Sequence, residues 1–280
     1  MRYTICILQS LFFVGTFGLA SPHVEERQAK PSGTGPYSAK YTTLPSLPNH
    51  TLYHPSSLSL NTTLPVIVWG NGGCSANGLS QSAFLTEIAS WGFLVIASGG
   101  PNQSGSTTAS VMKASIDYVS GSALPTEYAK LVDNTKIAAA GFSCGGIEAY
   151  EQVQDKRVKA LGIFNSGQMS EDATKKVVPN IPKGKPVFFF LGGESDIAYK
   201  NGMRDYRALP VGIPSWNGNL NVGHGATYNE PNGGKFAKAA QLYFRWVLKG
   251  DAAVSSFFTV DGAKTDGWTV ERKDLDKIVV

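Results

Sequence analysis

The chain is poor in the residues from which metal and redox centres are usually built. Three cysteines and four histidines in 280 residues, none at ligand spacing, offer no metal set. No G-x-G-x-x-G element follows a strand-like run, and Gly70-Asn71-Gly72-Gly73 does not substitute for one, so neither a dinucleotide nor another organic cofactor is expected. Charge is sparse too: 25 Lys and Arg against 21 Asp and Glu, a net +4. Without a basic stripe there is no footing for nucleic acid. Beyond the first twenty residues no apolar run approaches the roughly 20 residues that cross a bilayer, so no membrane span is expected.

What is present begins with an address. Arg2 precedes an apolar run, Ile5 to Leu19, that ends in Gly18-Leu19-Ala20. This pattern predicts a signal peptide over 1–20, cleaved after Ala20, and a secreted protein. Residues 21–35 are polar and read as a flexible lead-in or propeptide; 36–280, about 245 residues, suit one sizeable α/β domain. Asn49-His50-Thr51, Asn61-Thr62-Thr63 and Asn102-Gln103-Ser104 are sequons, which makes Asn49, Asn61 and Asn102 candidate glycosylation sites on surface loops. Cys6 leaves with the signal peptide. The remaining pair, Cys74 and Cys144, suggests a disulfide in an oxidising compartment.

From Val66 onward, short apolar runs alternate with helix-compatible stretches. The runs are Val66 to Gly70, Phe93 to Ser98, Ile137 to Phe142, Ala160 to Asn165, Val187 to Gly192 and Ser215 to Val222. Between them lie Ser80 to Trp91, Thr108 to Ser120, Gly145 to Gln154 and Ala198 to Leu209, and the amphipathic Lys235 to Lys249 follows. Continuous apolar runs bounded by glycine predict strands buried on both faces, hence an α/β fold with a doubly wound, mostly parallel sheet and helices on both faces. Tyr37 to Thr43 and Thr51 to Pro55 read as antiparallel edge strands, and 251–280 as an irregular tail or a short strand and helix. In such a sheet ligands bind outside the carboxyl ends of the strands.

At one such end stands Gly141-Phe142-Ser143-Cys144-Gly145. This is G-x-S-x-G between a strand and a helix, the setting in which the pattern carries a nucleophilic serine. A serine needs a base, and the base needs a carboxylate to orient it. His224, in Gly223-His224-Gly225 after a strand-like run, is the only histidine downstream; His23, His50 and His54 lie near the N-terminus. Between serine and histidine, Gly192-Gly193-Glu194-Ser195-Asp196 supplies the acid. Asp196 is preferred and Glu194 is its competitor. The oxyanion formed on attack needs backbone donors: Cys144 is one, and Gly73 or Cys74, in the glycine loop after Trp69, is the other. Because both mature cysteines sit on these two donor segments, a Cys74–Cys144 bridge is expected to staple them, two buried free thiols being the alternative.

With these residues in place the chain resembles the α/β-hydrolase superfamily. Its nearest likeness is to the secreted branch without a lid that includes chlorophyllase-like, dienelactone-hydrolase-like and polyester-hydrolase or cutinase-like enzymes. The resemblance covers roughly 66–249. It implies a three-layer α/β-hydrolase fold without a large cap domain, Ser143, Asp196 and His224 as the catalytic triad, and an ester substrate, small or polymeric. A lactonase, thioesterase or acyl transferase would use the same triad. A non-catalytic secreted binding protein on this fold is the reading from another class. Asn71-Gly72 stands where relatives often carry His-Gly, and Cys144 where they often carry Met or Gln. Trp216 and Tyr199 are candidates for lining the site.

Overall fold

Side chains leave a strand alternately to its two faces, and the apolar runs divide between two cores on that rule. The structure, a computed structural model, describes residues 32–58 and 61–279. The expected signal peptide with Cys6, and the lead-in as far as residue 31 with His23, lie outside the described residues. Strand β1 (Ala39–Leu44) pairs antiparallel with β2 (Leu47–Pro55), and β2 pairs antiparallel with β4 (Leu94–Ser98). The centre is parallel: β4, β3 (Leu64–Gly70), β5 (Val132–Phe142), β6 (Val158–Phe164), β7 (Val187–Leu191) and β8 (Ser215–Asn219). Strand β9 (Thr269–Lys273) closes the far edge antiparallel to β8. The spatial order is β1-β2-β4-β3-β5-β6-β7-β8-β9. This mostly parallel, nine-stranded sheet is compatible with the α/β-hydrolase arrangement.

The helices run in chain order as α1 (Ser82–Ser90), α2 (Ala109–Ser120), α3 (Thr126–Ala129), α4 (Cys144–Glu151), α5 (Glu171–Val177), α6 (Tyr199–Ala208), α7 (Gly234–Lys249), α8 (Ser256–Thr259) and α9 (Gly262–Thr265). On one face Ile67, Trp69, Ala138, Ala140, Phe188 and Phe190 meet α1, α7 and α8; on the other Val66, Val68, Ile137, Ala139, Phe189 and Leu191 meet α2, α4 and α6. The first core is largely aromatic. Phe188 stacks on Tyr243 at 4.1 Å between ring centroids, and Phe164 on Phe190 at 4.3 Å.

Three departures from the sequence reading have local causes. Strand β2 is an inner strand rather than an edge, because its other side is taken by β4. The last residues of the lead-in are docked: Thr34 donates its N–H and its hydroxyl to the Glu87 carboxylate at 2.8 and 2.5 Å, and Gly35 donates its N–H to Ser90 Oγ at 3.0 Å. Trp216 does not line the site. Its ring folds over Gly218 into the aromatic core against Phe258 and Trp268.

What brings α4 against the sheet is the absence of side chains at one crossing. A Cβ on Gly145 would lie 2.1 Å from the backbone of Gly70, and one on Gly141 would lie 2.2 Å from the carbonyl oxygen of Gly145. These are backbone obstacles that no rotamer change relieves. Gly145→Ala is therefore expected to destabilise by about 2–4 kcal/mol, lowering Tm by roughly 5–15 °C. Gly225→Ala, whose added Cβ meets nothing within 4 Å, shifts Tm by about 1 °C or less. Thermal melts of the two variants check this; equal Tm values would show that the crossing is not tight.

Candidate active site

Strand β5 delivers the chain to Ser143, which takes φ 53°, ψ −119°, a conformation that L-residues avoid and that marks a strained turn. Neighbours hold it there. Ser143 donates its N–H to the carbonyl of Phe164 at 2.9 Å, while its own carbonyl accepts from the Gly146 N–H at 2.9 Å and from Ser166 Oγ at 2.6 Å. The turn ends at the first residue of α4, so the Cys144 N–H has no carbonyl four residues back to bond. Among the described residues that N–H has no acceptor, and neither has the N–H of Gly73.

His224 follows β8 on the loop that passes over Ser143. Its Nε2 is 3.0 Å from Ser143 Oγ and its Nδ1 is 2.6 Å from Asp196 Oδ1. The histidine thus bridges Ser143 to Asp196, the preferred of the two candidate acids. Glu194 is exposed and makes no such contact. Phe142 supports the imidazole from the side, ring centroids 5.1 Å apart.

Asp196 is buried, and its two oxygens receive four donors. Oδ1 accepts from His224 and from the Ala198 N–H at 2.9 Å; Oδ2 accepts from the Gly192 N–H at 3.0 Å and from Asn165 Nδ2 at 2.8 Å. Burial pushes this carboxyl up. The hydrogen bonds from His224, Ala198, Gly192 and Asn165 outweigh that and hold it below the usual carboxylate range. The acid is therefore favoured in its ionised form beside the imidazole.

Asn165 and Tyr228 are neighbours of Asp196 that the sequence reading missed. Asn165, with φ 43°, receives the Tyr228 hydroxyl on Oδ1 at 2.6 Å and passes its Nδ2 to Asp196. The one signal available was that the apolar run of β6 ends in an asparagine at the carboxyl edge of the sheet. Tyr199, by contrast, lies on a separate polar cleft with Asn219, Asn221 and Thr269.

The glycine loop after β3 is tied down by Asn71. Buried Asn71 donates Nδ2 to the carbonyls of Ser98 at 2.6 Å and Ser75 at 2.8 Å, and its own carbonyl accepts the Gly145 N–H at 3.1 Å. Gly73 and Cys74 turn with φ 63° and 47°. The loop is also covalently bound to α4 through the disulfide Cys74–Cys144, Cα atoms 5.1 Å apart and 70 residues apart in sequence. Closing a loop of that length removes about 4 kcal/mol of chain entropy from the unfolded state.

A cleft of about 330 Å³ opens over Ser143 and His224, its walls supplied by Ile147, Met169, Ile197 and Ala198. Met169 and Ile197 are 75% and 80% exposed, at the mouth. Buried Asp205 on α6 secures the Met169 wall by accepting from the Gln168 N–H at 2.6 Å, the Thr174 hydroxyl at 2.6 Å and the Tyr150 hydroxyl at 3.0 Å. Among the described residues no group of three or more His, Cys, Asp or Glu is placed to hold a metal ion, and no helix is long and apolar enough to cross a membrane. Asn49, Asn61 and Asn102 are all exposed. No family model matches the chain, and no curated protein matches it.

Beneath the turn, Glu148 of α4 is buried with one oxygen accepting from the Thr107 hydroxyl at 2.9 Å and the other without a partner among the described residues. Burial raises its pKa more than the Thr107 bond lowers it. Burial likewise raises Asp205, against the lowering hydrogen bonds of Thr174, Gln168 and Tyr150. An acid raised in the folded state is more protonated there than in the unfolded chain, so stability falls as pH climbs from the unfolded value through the folded one. Asp196 acts oppositely, contributing stability above its unfolded value that is lost as pH falls through its lowered one. Glu148→Gln is therefore expected to show a shallower loss of Tm than wild type as pH rises above the ordinary glutamate range. Parallel Tm profiles for the two proteins would contradict the assignment.

Proposed function

We propose that the chain is a secreted serine hydrolase of the α/β-hydrolase superfamily that cleaves carboxylic esters. The observation that carries this is the continuous hydrogen-bonded line Ser143–His224–Asp196 at the floor of a largely apolar cleft. The intramolecular disulfide is in keeping with an oxidising, extracellular compartment.

The chemistry follows from the geometry. As His224 Nε2 takes the hydroxyl proton, Ser143 Oγ attacks the ester carbonyl carbon and the carbonyl electrons move to oxygen. The new oxyanion is stabilised by the unengaged Cys144 N–H, with Gly73 as the second donor and the N-terminal end of α4 adding its dipole. Collapse expels the alkoxide, which leaves as the alcohol with the proton from His224. Water then attacks the acyl-enzyme, giving its proton to the same nitrogen, and the acid departs as Ser143 regains its hydrogen. Throughout, Asp196 keeps Nδ1–H as the donor, so that Nε2 is free to accept. The disulfide and the Asn71 bonds hold the two donor segments together before substrate arrives, so the enzyme need not reorganise to meet the developing charge.

Hydrolysis of short p-nitrophenyl esters tests the reading. Ser143→Ala is expected to lower kcat by about 10⁴-fold or more, and Asp196→Asn by on the order of 10⁴-fold, with little change in KM. An Ser143→Ala protein as active as wild type, or a wild type inert to every ester, would favour a binding protein instead.

A further inference from the structure

Among the described residues, one polar side chain lining the cleft over Ser143 has no hydrogen-bond partner. Besides Ser143 and His224, the polar side chains lining it are Asn165, Ser166 and Asn201. Asn165 is committed at both ends, to Asp196 and to Tyr228. Ser166 Oγ is committed to the Ser143 carbonyl. The Cys144 sulfur is in the disulfide. Asn201, half-buried near the start of α6, makes no side-chain hydrogen bond among the described residues. It stands among Ile147, Met169, Ile197 and Ala198.

A half-buried carboxamide in an apolar wall is left to water while the cleft is open, so a substrate that expels that water without pairing with the amide loses binding energy. The backbone of Asn201 is not free to move aside. A Cβ on Gly167 would come within 2.4 Å of the Asn201 backbone, so the helix is packed directly on the loop that follows β6. An Asn also offers both a donor and an acceptor, so it pairs with a hydroxyl or a carbonyl. An aliphatic side chain at this position would complete the wall for a plain alkyl chain; Asn leaves it incomplete.

We propose that Asn201 is a specificity-determining residue that pairs with an oxygen function on the substrate, and that the preferred substrates are aliphatic esters bearing a hydroxyl or oxo group on the portion seated in the cleft. This rests on the ester-hydrolase reading above. The apolar residues take the hydrocarbon and Asn201 takes the oxygen. A site that hydrogen-bonds its substrate discriminates against the analogue lacking the group, because its own polar atom is then buried without a partner.

The test compares two arms by pH-stat. The acyl arm sets methyl hexanoate against methyl β-hydroxyhexanoate and methyl ω-hydroxyhexanoate. The alcohol arm sets hexyl acetate against its β- and ω-hydroxy counterparts. Wild type is expected to favour a hydroxylated ester in one arm by about threefold to tenfold in kcat/KM, and that arm identifies which half of the ester occupies the cleft. Asn201→Leu, and the smaller change Asn201→Ala, are expected to abolish the ratio. Labelling of Ser143 by a fluorophosphonate probe in each variant shows that the site is assembled. Equal turnover of plain and hydroxylated esters by wild type, or an unchanged ratio in both variants, would overturn the role of Asn201 and leave the hydrolase reading intact. If wild type cleaves no ester and takes no label, the hydrolase reading fails and this inference with it.

Discussion

The near-contact of two backbones, at Gly70 on the end of β3 and Gly145 in the first turn of α4, is the constraint on which the site depends. Because neither residue has a side chain, α4 starts directly against the sheet. The chain must then turn between β5 and α4 in a single residue, and that residue, Ser143, is driven to positive φ. The same approach brings the glycine loop after β3 close enough to Cys144 for a disulfide and for the Gly145 N–H to reach the Asn71 carbonyl. Strain at Ser143, the presentation of its hydroxyl and the pairing of the two donor segments are thus consequences of one crossing. Stability and the proposed chemistry are coupled at that point.

A second layer of order comes from satisfying a buried charge. Asp196 is removed from water, which taken alone would raise its pKa. Four donors from three segments restore the ionised form: the start of its own loop at Gly192, the residue leading into α6, the end of β6 at Asn165, and the imidazole. Only the last of these belongs to the proposed triad. Asn165 in turn is oriented by the Tyr228 hydroxyl, and Tyr228 packs against Phe142 and Phe84 in the aromatic core. The orientation of His224 is in this way tied to the packing of the core beneath it. Glu148 lies under the same turn and differs in kind: it has a single donor, and burial dominates.

Much of this was legible in the sequence wherever the signal was local. Five of the six central strands announced themselves as apolar runs because burial on both faces leaves no polar alternation to confuse them; β8, Ser-Trp-Asn-Gly-Asn, is the exception and was marked by its place after a helix and before the glycine loop of His224. Strand β5 begins at Val132, five residues before the expected Ile137, because Asp133 to Lys136 are polar and lie at the exposed end of the strand. Ser143, His224 and the disulfide pair could be placed because each sits at a predicted strand end or in a glycine loop. Asn165 and Tyr228 could not, since their roles arise from contacts across 31 and 63 residues and a lone Asn or Tyr carries no spacing. Trp216 was misplaced for a similar reason: only the fold shows that Gly218 makes room for its ring inside the core. The unpaired Asn201 became visible only once the other polar groups around the cleft had been assigned partners.

The central claim is that Ser143 is an activated nucleophile, made so by its turn and by His224. Its most direct measurement is the reaction of the purified mature protein with a fluorophosphonate probe, followed by mass spectrometry of the labelled peptide, beside Ser143→Ala and His224→Ala. One adduct per chain is expected, on Ser143, absent from Ser143→Ala and formed far more slowly without His224. A folded wild-type protein that takes no label, or takes it equally well without His224, would contradict it.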